Sequence, residues 1–166
     1  MSFHFKIEST PSQEIVQFSG TVDENAKFND INLKQNTQLI IDMKNVNLLN
    51  SLGLRNWILW VKTLKQYTGG IFLRNCPNVV VHQMNVLDGF LPLHATVESI
   101  LIPFLCDSCG HEFDYLATRG KDYKEAFDGQ SEAVLMPLEQ TCTKCGKIAE
   151  ADIIPAKHFQ FLKRRR

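Results

Sequence analysis

Long apolar stretches are missing from this chain. No run approaches the ~20 consecutive apolar residues that a membrane-spanning helix requires. Residues 1–10 are polar and alternating, unlike a secretory signal peptide. We therefore expect a cytoplasmic protein without a membrane segment, in a compartment that keeps thiols reduced.

An excess of charge of either sign is also missing. The 166 residues carry 18 Lys and Arg against 18 Asp and Glu. Residues 1–105 hold eight charges of each sign and residues 106–166 hold ten of each. This balance argues against non-specific electrostatic binding of nucleic acid, because such binding needs clustered basic residues. The basic residues 163–166 are the exception, and we expect them to be a solvated terminus.

Local catalytic motifs are missing too. The sequence contains no HExxH, no phosphate-cradling Gly-rich loop and no carboxylate pair in a distinctive setting. Catalytic groups can assemble from distant positions, so these absences lower the expectation of an enzyme without excluding one. We expect that the protein is not an enzyme.

Two matched cysteine pairs are present in the last third of the chain. Each is a Cys-x-x-Cys-Gly motif, formed by Cys106 with Cys109 and by Cys142 with Cys145. Two intervening residues let a tight turn aim both sulfurs at one ion, and a following glycine tolerates the positive φ of such a turn. The motifs predict one structural Zn²⁺ per chain in a closed shell of four thiolates.

Other uses of these thiols are less favoured. Two disulfides or four buried thiols are disfavoured because a reducing compartment leaves thiols free to bind metal. A redox Cys-x-x-Cys is disfavoured because two equivalent pairs are present. A catalytic zinc would require His111 or His158 to displace a cysteine and open the shell. The remaining cysteine, Cys76, is expected to be a small buried apolar residue.

Hydrophobic periodicity predicts an α/β fold in two units, with Pro103 as the hinge between them. Residues 1–102 should form a mixed sheet with helices packed against it, and residues 103–166 a small β-rich zinc ribbon. Strands are predicted over 4–9, 14–22, 39–43, 71–73, 95–102, 111–119 and 148–154, helices over 54–64 and 77–87, and loops over 44–51 and 120–140. Separate cores would make the units unfold in two steps when the metal is removed.

The loop before the first predicted helix contains Asn50, Ser51 and Leu52. Either Asn50 or Ser51 can cap the helix by accepting a hydrogen bond from an amide in its first turn. Alternatively, a phosphate on Ser51 would be held by those amides and by the helix dipole, which would create a chemical switch.

Several motifs together resemble the STAS family, named for sulphate transporters and anti-sigma factor antagonists. The similarity covers about residues 3–102 and omits the cysteine module. It is carried by the segments 18–23 (FSGTVD), 39–43 (LIIDM), 50–54 (NSLGL), 69–73 (GGIFL) and 85–90 (NVLDGF).

The resemblance implies a small mixed sheet with helices on one side and a role as a switchable docking domain. It implies that Ser51 is phosphorylated by a serine kinase that doubles as an anti-sigma factor, and that phosphorylation releases this partner. Asn50 and Leu52 depart from the family pattern, which has Asp and a second small residue there, and are candidate partner contacts. The alternative is a nucleic-acid-associated zinc-ribbon protein, and a homo-oligomer stays open.

Trp60 is a further candidate partner contact. It lies off the helical stripe defined by Trp57, Val61 and Leu64. It is either an exposed anchor for a partner or a cover for the edge of the sheet or the zinc module.

Overall fold

The computed structural model describes residues 1–34, 38–125 and 133–163. Its first sheet has five strands in the order β1-β2-β3-β4-β5. Strand β1 pairs antiparallel with β2, and the other neighbours are parallel. The mixed sheet expected from the sequence is therefore confirmed. The strands are β1 (His4–Ser9), β2 (Gln13–Val22), β3 (Gln38–Leu49), β4 (Ile71–Arg74) and β5 (Ala95–Val97).

Helices α1 (Ser51–Val61) and α2 (Asn78–Val86) provide the connections between the parallel strands β3, β4 and β5. One face of the sheet carries a row of buried residues aligned by strand register, Val16, Ile41, Leu73 and Val97. These residues belong to the same hydrophobic cluster as the buried side chains of both helices, whereas Ile40, on the opposite face, does not. The pattern places the core on one side of the sheet.

A second sheet is formed by later strands in the order β10-β11-β6-β7, all antiparallel. The hairpin of β8 and β9 is separate. A short helix, α3 (Pro155–His158), and a 3-10 turn at Gln160–Lys163 follow. The strands are β6 (Ser99–Leu105), β7 (Glu112–Thr118), β8 (Tyr123–Lys124), β9 (Ala133–Val134), β10 (Glu139–Thr141) and β11 (Ile148–Ala151).

Three element predictions are corrected. The predicted loop 44–51 is largely strand, because β3 continues to Leu49 and pairs there with Val22. The first helix ends at Val61, and a 3-10 helix covers Lys62–Gln66. Within residues 120–140, the described part contains short strands instead of a continuous loop; residues 126–132 lie outside it.

Pro103 is not a hinge. The predicted strand 95–102 is two strands in different sheets, and the change of sheet occurs at Glu98, between β5 and β6. Pro103 lies in the middle of β6, paired with Asp114, so the predicted boundary after residue 102 falls inside a strand. A proline is compatible with a strand when its missing N–H is not needed by the ladder, which sequence alone does not reveal.

The two sheets share one hydrophobic core. The cluster that contains Ile41 and Trp57 also contains Ile102 and Phe104 of β6 and Phe161 near the C-terminus.

Across the described residues, no helix is both long enough and apolar enough to cross a membrane.

Candidate metal centre and the loop before the first helix

The two cysteine motifs form matching turns at one end of the second sheet. Cys106 follows β6 and Cys142 follows β10, so each motif joins two antiparallel strands. The amide of Gly110 donates to the carbonyl oxygen of Cys106 at 2.7 Å, and the amide of Gly146 donates to that of Cys142 at 3.0 Å. Both glycines have positive φ, +68° and +74°. The predicted role of glycine after each pair is confirmed.

The turns bring the four sulfurs together. All four Sγ atoms lie within 4.8 Å of one another. The Cys106 and Cys145 sulfurs are 3.5 Å apart, and those of Cys109 and Cys142 are 3.7 Å apart. A tetrahedron with metal–sulfur bonds of ~2.3 Å has edges of about 3.8 Å, so the arrangement fits a tetrahedral thiolate ion site. These four cysteines could hold a metal ion.

Backbone amides favour the thiolate at Cys142. Burial alone would raise its pKa, but this effect is outweighed by amides in the turn, including that of Lys144 at 3.4 Å from Sγ, and by hydrogen bonds with Cys109 and Cys106, which lower the pKa to about 6. Amide-to-sulfur hydrogen bonds of this kind also stabilise a metal-bound thiolate.

Neither histidine considered as a replacement ligand belongs to the cluster of sulfurs. His111 lies with its Nε2 3.0 Å from Thr143 Oγ1, and His158 lies beside α2. Among the described residues, the cluster therefore consists of four cysteine sulfurs alone. Cys76 is fully buried away from the cluster, as expected, and burial raises the pKa of its thiol.

Asn50, and not Ser51, caps α1. The Asn50 Oδ1 atom accepts a hydrogen bond from the Gly53 amide at 2.8 Å. Its Nδ2 donates to Glu24 Oε2 at 3.0 Å, and this hydrogen bond lowers the pKa of Glu24. Ser51 is the first helical residue and is exposed. Of the two capping possibilities open from sequence, the structure selects Asn50.

Gly53 allows the start of α1 to pack against the end of β2. A Cβ at this position would lie 2.0 Å from the carbonyl oxygen of Val22, a backbone atom. The same oxygen accepts a hydrogen bond from the Asn50 amide at 3.1 Å. The steric need for glycine was not recognised from the sequence, where Gly53 counted only as part of a motif.

The candidate partner contacts divide into two groups. Leu52 is 52% exposed beside Ser51. Leu48, at the end of β3, was not a candidate from the sequence but is similarly exposed, at 54%. Trp60 is only 5% exposed, so of the two alternatives left open for this residue the exposed anchor is wrong. Its ring stacks on Phe28 with centroids 5.4 Å apart, because the 3-10 segment Phe28–Asp30 folds over this part of α1.

A cleft that the sequence did not reveal lies between α2 and the C-terminal segment. Its volume is about 430 Å³, and its lining includes His82, Asp152, Lys157 and His158. His158 is 7% exposed, and its Nε2 has no hydrogen-bond partner among the described residues. Burial lowers the pKa of His158 to about 4, so the ring is neutral near pH 7.

No protein-family model matches the chain, and no curated protein sequence matches it. The resemblance of residues 3–102 to the STAS family therefore stays a prediction from motifs.

Proposed function

We propose that this chain is a non-enzymatic regulatory module of the cytoplasm that resembles an anti-sigma factor antagonist. It binds a protein partner through the surface at the start of α1, and phosphorylation of Ser51 releases that partner. The main support for the proposal is that Asn50 and Ser51 have different roles. Asn50 makes the cap, which leaves the Ser51 hydroxyl exposed at the first helical position.

A phosphate at Ser51 would change the local electrostatics. It adds a charge of roughly −1.5 to −2 at neutral pH, close to the unpaired amides and the positive dipole end of α1. It would also approach the Glu24 carboxylate, which is hydrogen-bonded to Asn50. Attraction to the amides and repulsion from Glu24 would together act on the Asn50 cap, so the modification would reshape the loop as well as add charge.

The exposed leucines supply the binding surface of the unmodified state. Leu48 and Leu52 lie within four positions of Ser51 in the chain, and each is more than half exposed. A partner that buries them gains hydrophobic stabilisation, about 25 cal/mol per Å² of apolar surface. A phosphate beside them would be costly to bury, so one surface would favour the partner before modification and disfavour it afterwards.

The metal in this proposal is a structural zinc ion. Four cysteine sulfurs without an open position suit Zn²⁺ in a structural role. The ion would join the β6–β7 turn to the β10–β11 turn and so fix the second sheet. The residues that would hold it are Cys106, Cys109, Cys142 and Cys145.

The switch is tested by incubating the metal-loaded protein with an anti-sigma-type serine kinase from the same organism and ATP. Intact mass and peptide mapping should show a single phosphate on wild type and none on Ser51→Ala. Ser12→Ala is the matched control, because Ser12 is exposed but lies far along the chain from α1. Wild type that stays unmodified, or a phosphate retained by Ser51→Ala, would refute the switch.

Partner binding is tested separately with the same kinase by gel filtration and titration calorimetry. Leu52→Asp should weaken binding at least tenfold, and a similar loss should follow phosphorylation of wild type. Leu93→Asp is the control, since Leu93 is 61% exposed on a different loop. Equal binding by Leu52→Asp and wild type would place the interface elsewhere.

A further inference from the structure

The second sheet has one buried face and one open face. From Ile100 onward the residues of β6 alternate: Ile100, Ile102 and Phe104 are buried, while Leu101, Pro103 and Leu105 are only partly covered. Residues paired across strands point to the same side, so the register extends the open face to the neighbouring strands. On β7 it includes Leu116, which is 45% exposed.

Carboxylates flank the apolar centre of this open face. Four residues pair side by side across the sheet, one from each strand in the order β10, β11, β6 and β7: Glu139, Glu150, Leu105 and Glu112. The next pair along β6 and β7 is Pro103 with Asp114. We call this surface the acidic face, defined by the apolar residues Leu101, Pro103, Leu105 and Leu116 and by the acidic residues Glu112, Asp114, Glu139 and Glu150.

Among the described residues, no ion pair involves a carboxylate of the acidic face. No Lys, Arg or His occurs among the outward-pointing residues of the four strands. The ion pairs found among the described residues, Lys6 with Glu8 and Arg74 with Asp42, lie in the first sheet. Glu139 and Glu150 are directly opposite each other, an arrangement of like charges that destabilises a sheet. A cationic partner would remove this repulsion.

We infer that the acidic face is a docking site for a cationic protein segment that carries apolar side chains. The apolar strip runs along β6, with acidic strands on both sides. Strands β11 and β7 are two strand spacings apart, about 10 Å, which suits one extended chain laid along β6 or one helix. Leucine- or valine-like side chains would cover Leu101, Pro103 and Leu105, while Lys or Arg would reach the flanking carboxylates.

The same charges disfavour nucleic acid on this face. A polyphosphate backbone would meet Glu112, Asp114, Glu139 and Glu150 with no cation among them, whereas nucleic-acid binding depends on neutralising phosphates. The inference does not rest on the proposed switch, because Ser51 lies at the start of α1 in the first unit.

The probe is a synthetic peptide of alternating Arg and Leu, about twelve residues long, which when extended spans more than the length of β6. It is titrated into the metal-loaded full chain while backbone amide shifts are followed by NMR. Shifts should concentrate in β6, β7, β10 and β11, and affinity should fall several-fold when ionic strength rises from about 0.05 to about 0.5 M. A peptide with Glu in place of each Arg should not bind.

The double variant Glu112→Gln/Glu150→Gln should weaken peptide binding at least tenfold. Its matched control is Glu8→Gln/Asp30→Asn, which removes two negative charges from exposed positions outside the acidic face and should bind like wild type. Circular dichroism and metal content confirm that each variant is folded. Equal weakening by both variants, an absence of shifts on the acidic face, or the same shifts produced by a single-stranded oligonucleotide would overturn the inference.

Discussion

Asn85 ties α2 to the C-terminal segment through the backbone of His158. Its Nδ2 donates to the His158 carbonyl oxygen at 2.7 Å, and its Oδ1 accepts from the Phe161 amide at 2.8 Å. One side chain on the first unit thus satisfies backbone groups that follow the cysteine module. Phe161 and Leu162 are each 1% exposed beside this contact, so the segment is packed as well as hydrogen-bonded.

Replacing Asn85 with Ala should destabilise the chain by about 2–4 kcal/mol, since two hydrogen bonds are lost and their backbone partners are left without them. Denaturant unfolding measures the loss, and the Phe161 amide should exchange faster with solvent. Asn78→Ala, at an exposed position of the same helix, should change stability by no more than about 0.5 kcal/mol. An Asn85→Ala protein as stable as Asn78→Ala would show that the C-terminal segment does not depend on this contact.

The cysteine site was predictable because its chemistry is local. Spacing, residue type and the following glycine are all visible within five positions, and only the meeting of the two turns required the fold. The first sheet was predictable for a similar reason, since the runs at 39–43 and 71–73 are short and apolar between turn residues. Both predictions depend on patterns that tertiary structure seldom reverses.

The environment of Trp60 was not predictable from helical periodicity. Helical periodicity assigns Trp60 to one side of α1. Phe28 covers that side, and it directly follows the polar residues 23–27, which gave no sign of packing against the helix. The prediction of a hinge at Pro103 was wrong for a related reason. A proline indicates a break along the chain, yet its place in β6 is determined by pairing with β7 and β11. Both outcomes depend on long-range packing.

Gly53→Ala should destabilise the protein by at least about 2 kcal/mol, although alanine is the better helix former. The new methyl group would collide with the Val22 carbonyl, so either α1 or the end of β2 must shift. Thermal unfolding gives the measurement. Arg55→Ala, exposed two residues later, is the control and should leave the melting temperature within a few degrees. Gly53→Ala with wild-type stability would mean that the contact between helix and strand is loose.

His158 should make stability depend on pH. The folded-state pKa of about 4 lies below the ordinary histidine pKa of 6.5, so the unfolded chain takes up the proton first. The stability contribution is fully present above pH 6.5 and decreases as the pH falls toward 4, by up to about 3 kcal/mol. In urea unfolding at pH 7 and pH 5, His158→Gln should show a smaller pH dependence than wild type. His82→Gln, exposed in the same cleft, should retain the wild-type dependence; equal slopes for His158→Gln and wild type would contradict the assignment.

Removing the metal should weaken both units together. Separate cores would give two unfolding steps, but Cys106 directly follows β6, whose Ile100 and Ile102 lie in the core shared with Trp57. A bound structural zinc contributes an apparent ~10 kcal/mol or more, and losing it should therefore loosen β6 and the first sheet as well. Tryptophan fluorescence, which reports only on α1, should change at the same chelator or denaturant concentration as metal release.

Cys106→Ser should lower metal content and shift the fluorescence midpoint, whereas Cys76→Ala should keep one metal per chain. Tryptophan signals that stay native after complete metal release would show that the first unit folds independently of the cysteine module.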